Sequence, residues 1–116
     1  MTGQARDGGG SVMELTVLAV PGCPNAPLLE RRLAGLLAGR PEARVSLQVV
    51  SSEDEAARLG MCGSPTLLIN GTDPFHAPGL RPALACRLYR GDEGRLEGAP
   101  GVPALRRVLT QEGLAG

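Results

Sequence analysis

Tryptophan and lysine are both absent from this chain, and phenylalanine and tyrosine occur once each, at Phe75 and Tyr89. With so little aromatic area, a core has to be assembled from leucine, valine and alanine. Hydrophobic residues make up 42% of the 116, which suffices for one independently folding domain. Twelve arginines, scattered along the chain, balance twelve acidic residues, so no net field draws it to nucleic acid or to an anionic membrane surface. The exclusive use of arginine reads as a genome-composition bias. No apolar run approaches the ~20 residues of a membrane span. The glycine-rich start, residues 1–11, lacks the apolar middle of a signal peptide. The expected organisation is a flexible tail over residues 1–12, with Met13 as an alternative translation start, and a single domain over 13–116. Without an export signal, the three cysteines read as reduced thiols of a cytoplasmic protein. Neither a second cysteine nor a histidine stands near Cys23 at the short spacing of a zinc site, so no structural metal and no cofactor is expected.

What is present centres on Val20-Pro21-Gly22-Cys23-Pro24-Asn25-Ala26. The apolar run Leu15–Val20 before it reads as a strand, and a helical pattern begins near Leu28. A cysteine therefore stands where strand gives way to helix. The unpaired N–H groups of a helix's first turn carry about half a positive charge, which favours a thiolate over a thiol. Pro24 suits the first helical position, where a missing N–H costs nothing. Cys23 is thus the candidate nucleophile. Asn25 is a candidate cap for the same N–H groups.

In chain order, Met13–Val20 reads as a buried strand. Over residues 25–39, Leu29, Leu33, Leu36 and Leu37 share one helical face, with Glu30 and the Arg31-Arg32 pair off that stripe as a solvated face. Gly39 and Pro41 end the helix. Ala43–Val50 alternates, with Val45, Leu47 and Val49 on one face, and predicts a second strand. Strand, helix and strand make a βαβ unit with parallel strands. Ser52 and Glu55 match a capping box that opens a short helix ending at Gly60. Ser64–Asn70 reads as a third strand entered at Pro65 and left by an Asn70-Gly71 turn. Prolines 74, 78 and 82 then predict an irregular connection of a length often used for function. Within it, Asp73 reads as a turn residue. His76 reads as a solvated loop residue, with proton donation over Cys23 as the alternative, and Phe75 as an apolar wall beside Cys23. Ala85–Arg90 reads as a fourth strand in which Cys86 shares a core-facing parity with Leu88. A helix over about residues 102–112 closes the chain, with Val102, Leu105, Val108 and Leu109 inward.

The order β-α-β-α-β-β-α, with a cysteine at the first strand–helix junction, resembles the thioredoxin-like superfamily. Two motifs carry the resemblance: Cys23-Pro24 at the junction, and Leu59-Gly60-Met61-Cys62-Gly63-Ser64-Pro65-Thr66-Leu67-Leu68, similar to the segment that leads into that family's cis-proline. The resemblance spans about residues 13–112. It implies an α/β thioredoxin-like fold with a central mixed sheet flanked by helices, a cis peptide bond before Pro65, and Pro65 packed against Cys23. It further implies that Pro24, Asn25, Ser64, Pro65 and Phe75 contact a thiol or disulfide substrate, either a protein or glutathione. A thioredoxin carries a second cysteine three residues after the first, where this chain has Ala26. What remains is single-thiol chemistry, in which Cys23 forms a mixed disulfide that is resolved by an outside thiol or by Cys62.

Cys23-Pro24-Asn25-Ala26-Pro27, Gly63-Ser64-Pro65-Thr66, Asp73-Pro74-Phe75 and Cys86-Arg87-Leu88-Tyr89 are together similar to small bacterial thioredoxin-fold proteins labelled alkylmercury lyase. Organomercurial lyases capture mercury with two thiolates and protonate the leaving carbon with an aspartic acid; soft thiolates suit a soft metal ion. This resemblance implies mercury or an organomercurial held by Cys23 with Cys62 or Cys86. The lyase aspartate falls at Ala26, so capture is expected over carbon–mercury cleavage. Three functional readings follow: a single-thiol redox protein, a mercury-binding protein like the alkylmercury lyases, and a redox-inert module that binds a partner in the groove between Cys23 and Pro65.

Overall fold

Seven short strands and three helices make up the described part of the chain. A computed structural model describes residues 12–114, so the tail expected over 1–12 lies, apart from Val12, outside the described residues. In chain order the elements are β1 (Met13–Ala19), α1 (Asn25–Leu37), β2 (Ala43–Val49), α2 (Glu53–Leu59), β3 (Cys62–Ser64), β4 (Thr66–Ile69), β5 (Ala83–Cys86), β6 (Tyr89–Arg90), β7 (Leu96–Glu97) and α3 (Val102–Gln111). β1 is the centre of the sheet. It pairs in parallel with β2, Leu15 beside Val45 and Val17 beside Leu47, and antiparallel with β4, Leu15 beside Ile69 and Val17 beside Leu67. β3 pairs in parallel with β5, and β6 pairs antiparallel with β7. The architecture is mixed α/β.

The alternation in β1 decides which side chains meet which helix. Leu15, Val17 and Ala19 join Leu67 and Ile69 beneath α1 and α3, where Leu29, Leu33, Leu105 and Leu109 are at most 1% exposed. Leu18 points the other way, into a smaller cluster with Val50, Ala56 and Met61 that α2 covers. Each such side chain contributes about 1.5–3 kcal/mol on burial, so the leucines expected to face inward on α1 and α3 do carry the core. The capping box also forms. The Ser52 hydroxyl accepts from the Glu55 N–H at 3.1 Å, the Glu55 carboxylate accepts from the Ser51 N–H at 3.2 Å, and Gly60 at φ 82° ends the helix.

In the scaffold, the structure departs from the sequence reading at four places. The third strand is broken at Pro65, which has no N–H to give to a ladder. The stretch before it, β3, pairs with β5, and the stretch after it, β4, pairs with β1. The Ser64–Pro65 peptide is cis. The fourth strand starts earlier, at Ala83, and breaks after Cys86 into β5 and β6, and β7 follows at Leu96–Glu97, where no strand was expected. The face of Val45, Leu47 and Val49 lies on the same side as Leu15, Val17 and Ala19, yet these three are 36%, 47% and 48% exposed. β2 is the sheet edge, and α1 sits over β1 and leaves that edge half uncovered. Finally, Arg32 is not simply solvated: it donates to the Ala99 and Pro100 carbonyls at 3.3 and 2.8 Å and ties α1 to the chain entering α3. Among the described residues, no helix is long and apolar enough to cross a membrane.

Candidate functional site

Cys23 sits in the turn that joins β1 to α1, and three hydrogen bonds fix that turn. The Cys23 N–H donates to the Val20 carbonyl at 3.2 Å, and the Ala26 N–H donates to the Cys23 carbonyl at 3.3 Å. Gly22, at φ 73°, makes the reversal that a side chain would resist. The Val20 N–H in turn donates to the Ser64 hydroxyl at 3.0 Å, so the segment before Pro65 holds the segment before Cys23. Pro24 is the N-cap itself, in helical conformation, one position earlier than expected. Asn25 caps nothing: its amide packs against Gly98, where even a Cβ would collide with it. Ala26 is 5% exposed and belongs to the core under α1. Cys23 is half-buried at the rim of that core, which Phe75 also packs against.

Ser64 and Pro65 are both buried. The Ser64 hydroxyl is used by Val20, and its carbonyl accepts from the Arg87 N–H at 3.0 Å. The Pro65 carbonyl accepts from the Tyr89 hydroxyl at 2.5 Å. Burial pushes the Tyr89 phenol well above the ordinary tyrosine range; the Arg87 charge opposes this, and the charges of Asp73 and Cys23 add to it. Cys23 is thus within electrostatic reach of Tyr89, as the smallest of these influences.

Behind Tyr89 stands a buried ion pair that the sequence reading did not foresee. The Arg87 Nη1 donates to the Asp73 Oδ2 at 2.7 Å and to the Thr66 hydroxyl at 3.2 Å, and its Nη2 donates to the Phe75 carbonyl at 2.8 Å. The guanidinium lies 4.8 Å from the centre of the Tyr89 ring, a cation–π contact, and Phe75 meets Tyr89 edge to face at 5.6 Å. The other Asp73 oxygen accepts from the Phe75 N–H at 2.8 Å. Asp73 is thus more than a turn residue: it neutralises Arg87 and anchors Phe75. Gly63 makes room for this, since at φ 100° a Cβ would lie 2.7 Å from the Arg87 Cβ. Inward and outward positions are accordingly the reverse of those expected: Arg87 and Tyr89 are buried, Leu88 is 60% exposed and Cys86 is exposed. A charged residue goes inside here because its charge is paired and its donors are satisfied.

The three thiols are free and sit in three surroundings. Cys23 packs on the α1–α3 core. Cys62 is 9% exposed and lines a cleft of about 420 Å³ with Leu59 and Leu68, which pack against the α2 core on the other side of the sheet. Cys86 is exposed, beside Ser64 in the β3–β5 register. His76 is exposed, donates its N–H to the Asp73 carbonyl at 3.2 Å, and borders the Cys62 cleft. Among the described residues, no group of three or more His, Cys, Asp or Glu is placed to hold a metal ion. The structure thus ties Ser64 to the turn that carries Cys23, with Pro24 and Asn25 at the helix start, and joins Pro65 and Phe75 to Tyr89 and Arg87.

Comparison with protein-family models, with curated proteins and with solved structures finds no match. The chemistry of the site rests on its own residues.

Proposed function

We propose that the chain is a thioredoxin-like thiol protein that works through one nucleophilic cysteine, Cys23. The observation that supports this most is the placement of Cys23: half-buried at the start of the 13-residue helix α1, in a turn held from behind by the Ser64 hydroxyl. A reactive thiol needs partial exposure and a fixed position near a positive helix end. The thiolate attacks one sulfur of a disulfide; the substrate's S–S bond breaks, the outer sulfur leaves as a thiolate and takes a proton from water, and Cys23 is left in a mixed disulfide. A second thiol, from glutathione or a protein, attacks the outer sulfur of that mixed disulfide, forms a new disulfide with it and releases the Cys23 thiolate. Ala26 gives the helix no thiol of its own for that second step.

Ser64 and Pro65 serve this chemistry as a brace, because their polar groups are spent on Val20, Arg87 and Tyr89. Pro24, exposed, and Asn25, half-buried, are the groups a substrate meets beside the thiol. Phe75, half-buried on the same core rim, forms the apolar side. Mercury capture requires a second thiolate at Cys23; Cys62 stands with Leu59 and Leu68 on the α2 side of the sheet, which leaves Cys86, exposed beside Ser64, as the candidate for that reading. Incubation with oxidised glutathione, followed by mass spectrometry, tests the proposal. One glutathione adduct mapping to Cys23, and lost in Cys23→Ser, is expected; adducts only at Cys86, or none, contradict it and leave the redox-inert module.

A further inference from the structure

Phe75 and Tyr89, the chain's entire aromatic complement, line a single cleft of about 550 Å³ between the 75–80 loop, β6 and the start of α3. Small-ligand sites fall at about 300–1,000 Å³ and combine apolar walls with a few placed polar groups. Leu80 and Leu88 stand along this cleft at 36% and 60% exposed, two of the largest bare apolar side chains of the fold. Among the described residues, the charged members of the lining are Arg87 and Arg90, and none is acidic. Arg87 has its charge met by Asp73. Arg90 does not: among the described residues its partner is the Gly94 carbonyl, 3.1 Å from one Nη, and the remaining guanidinium donors are open. An aromatic and aliphatic wall beside an open guanidinium selects a molecule with an apolar body and an anionic end, and the fork of arginine matches a carboxylate.

We propose that this cleft binds a small organic carboxylate, its apolar or aromatic body against Phe75, Leu80 and Leu88 and its carboxylate on Arg90. Cys23 does not line this cleft, and Phe75 is the residue it shares with the proposed thiol site. The test is titration of the full chain with 2-naphthoate and with its neutral counterpart 2-naphthamide, followed by backbone amide NMR shifts. Saturable one-to-one binding is expected, with shifts at Leu88, Tyr89 and Ala104 and about fivefold preference for the acid, the factor that corresponds to about 1 kcal/mol from one exposed ion pair. Arg90→Gln abolishes the preference while the amide still binds. Leu88→Asp, at a position exposed enough to fold unchanged, weakens naphthoate about tenfold by removing apolar contact and adding a like charge. Cys23→Ser binds both compounds as the parent chain does, so a failed thiol assay and a failed naphthoate titration are separate results. Absence of saturation, equal affinity for acid and amide, or shifts confined to the bare β2 face at Val45, Leu47 and Val49 overturns the proposal.

Discussion

Replacing Asp73 by alanine removes the carboxylate that neutralises Arg87 and leaves the guanidinium in place. Both side chains are almost out of water, 5% exposed for Arg87 and 8% for Asp73, with 2.7 Å between their nearest atoms. Water cannot take over as counter-charge at that depth, and breaking a buried pair from one side costs about 3–5 kcal/mol. The Phe75 N–H loses its acceptor as well, which adds about 1 kcal/mol. A domain of this size holds about 5–15 kcal/mol in all, so the variant stands between weakened and unfolded. In urea, with a slope of about 2 kcal/mol per molar, the midpoint falls by about 2–3 M. Asp73→Ala combined with Arg87→Leu removes both charges together. Only the Phe75 carbonyl and the Thr66 hydroxyl are then left without the arginine's donors, so about half of the loss is recovered. Urea unfolding followed by circular dichroism reads all three chains. A loss below about 1 kcal/mol for Asp73→Ala, or a double variant less stable than Asp73→Ala alone, refutes the claim that this pair organises the Phe75–Tyr89 side of the site.

Gly63→Ala meets both a φ of 100° and the Arg87 Cβ, so a loss of about 2 kcal/mol or more is expected on thermal unfolding, and an unchanged midpoint speaks against the close contact. Ala26→Cys supplies the missing thiol three residues after Cys23; mild oxidation then consumes both, and a thiol titration that still finds four free cysteines contradicts the placement. Burial holds the Tyr89 phenol neutral, so the folded chain binds that proton more tightly than the unfolded chain, whose phenol ionises near the ordinary value of about 10. Its contribution to stability is therefore full below about pH 10 and declines as pH rises through the folded phenol's own ionisation. Tyr89→Phe removes that alkaline slope and, through loss of the bond to Pro65, lowers neutral-pH stability by about 1 kcal/mol; equal slopes in the two chains refute the assignment.

Much of the scaffold is legible in local chemistry. The leucine period of α1 and α3 marks their buried faces, Ser52 and Glu55 mark the start of α2, and Asn70-Gly71, at φ 51° and 87°, marks the turn that closes Ile69 onto Thr72. The Cys23 junction is legible for the same reason, because strand, turn and helix signals meet there within a few residues. The Arg87–Asp73 pair is not, since its two halves are fourteen residues apart across a proline-rich loop. Parity alone then sends apolar Leu88 inward and charged Arg87 outward, the reverse of what is found. A signal did exist: the chain's one Phe and one Tyr flank this Asp and Arg, and so few aromatics have few places to go. The bare face of β2 illustrates a different limit. Alternation states which side chains share a face, while coverage depends on where α1 comes to rest.

The most direct test of the central claim is the rate at which iodoacetamide alkylates each thiol at about pH 6, where free cysteine is almost wholly protonated. Cys86 is exposed but ends a strand, and Cys62 is buried, so both serve as internal references for Cys23 at its helix start. Peptide mapping of the alkylated chain is expected to show Cys23 modified at least about tenfold faster than free cysteine and ahead of both other thiols. Alkylation of Cys23 no faster than free cysteine, or slower than Cys86, contradicts the proposal that this turn holds a nucleophile.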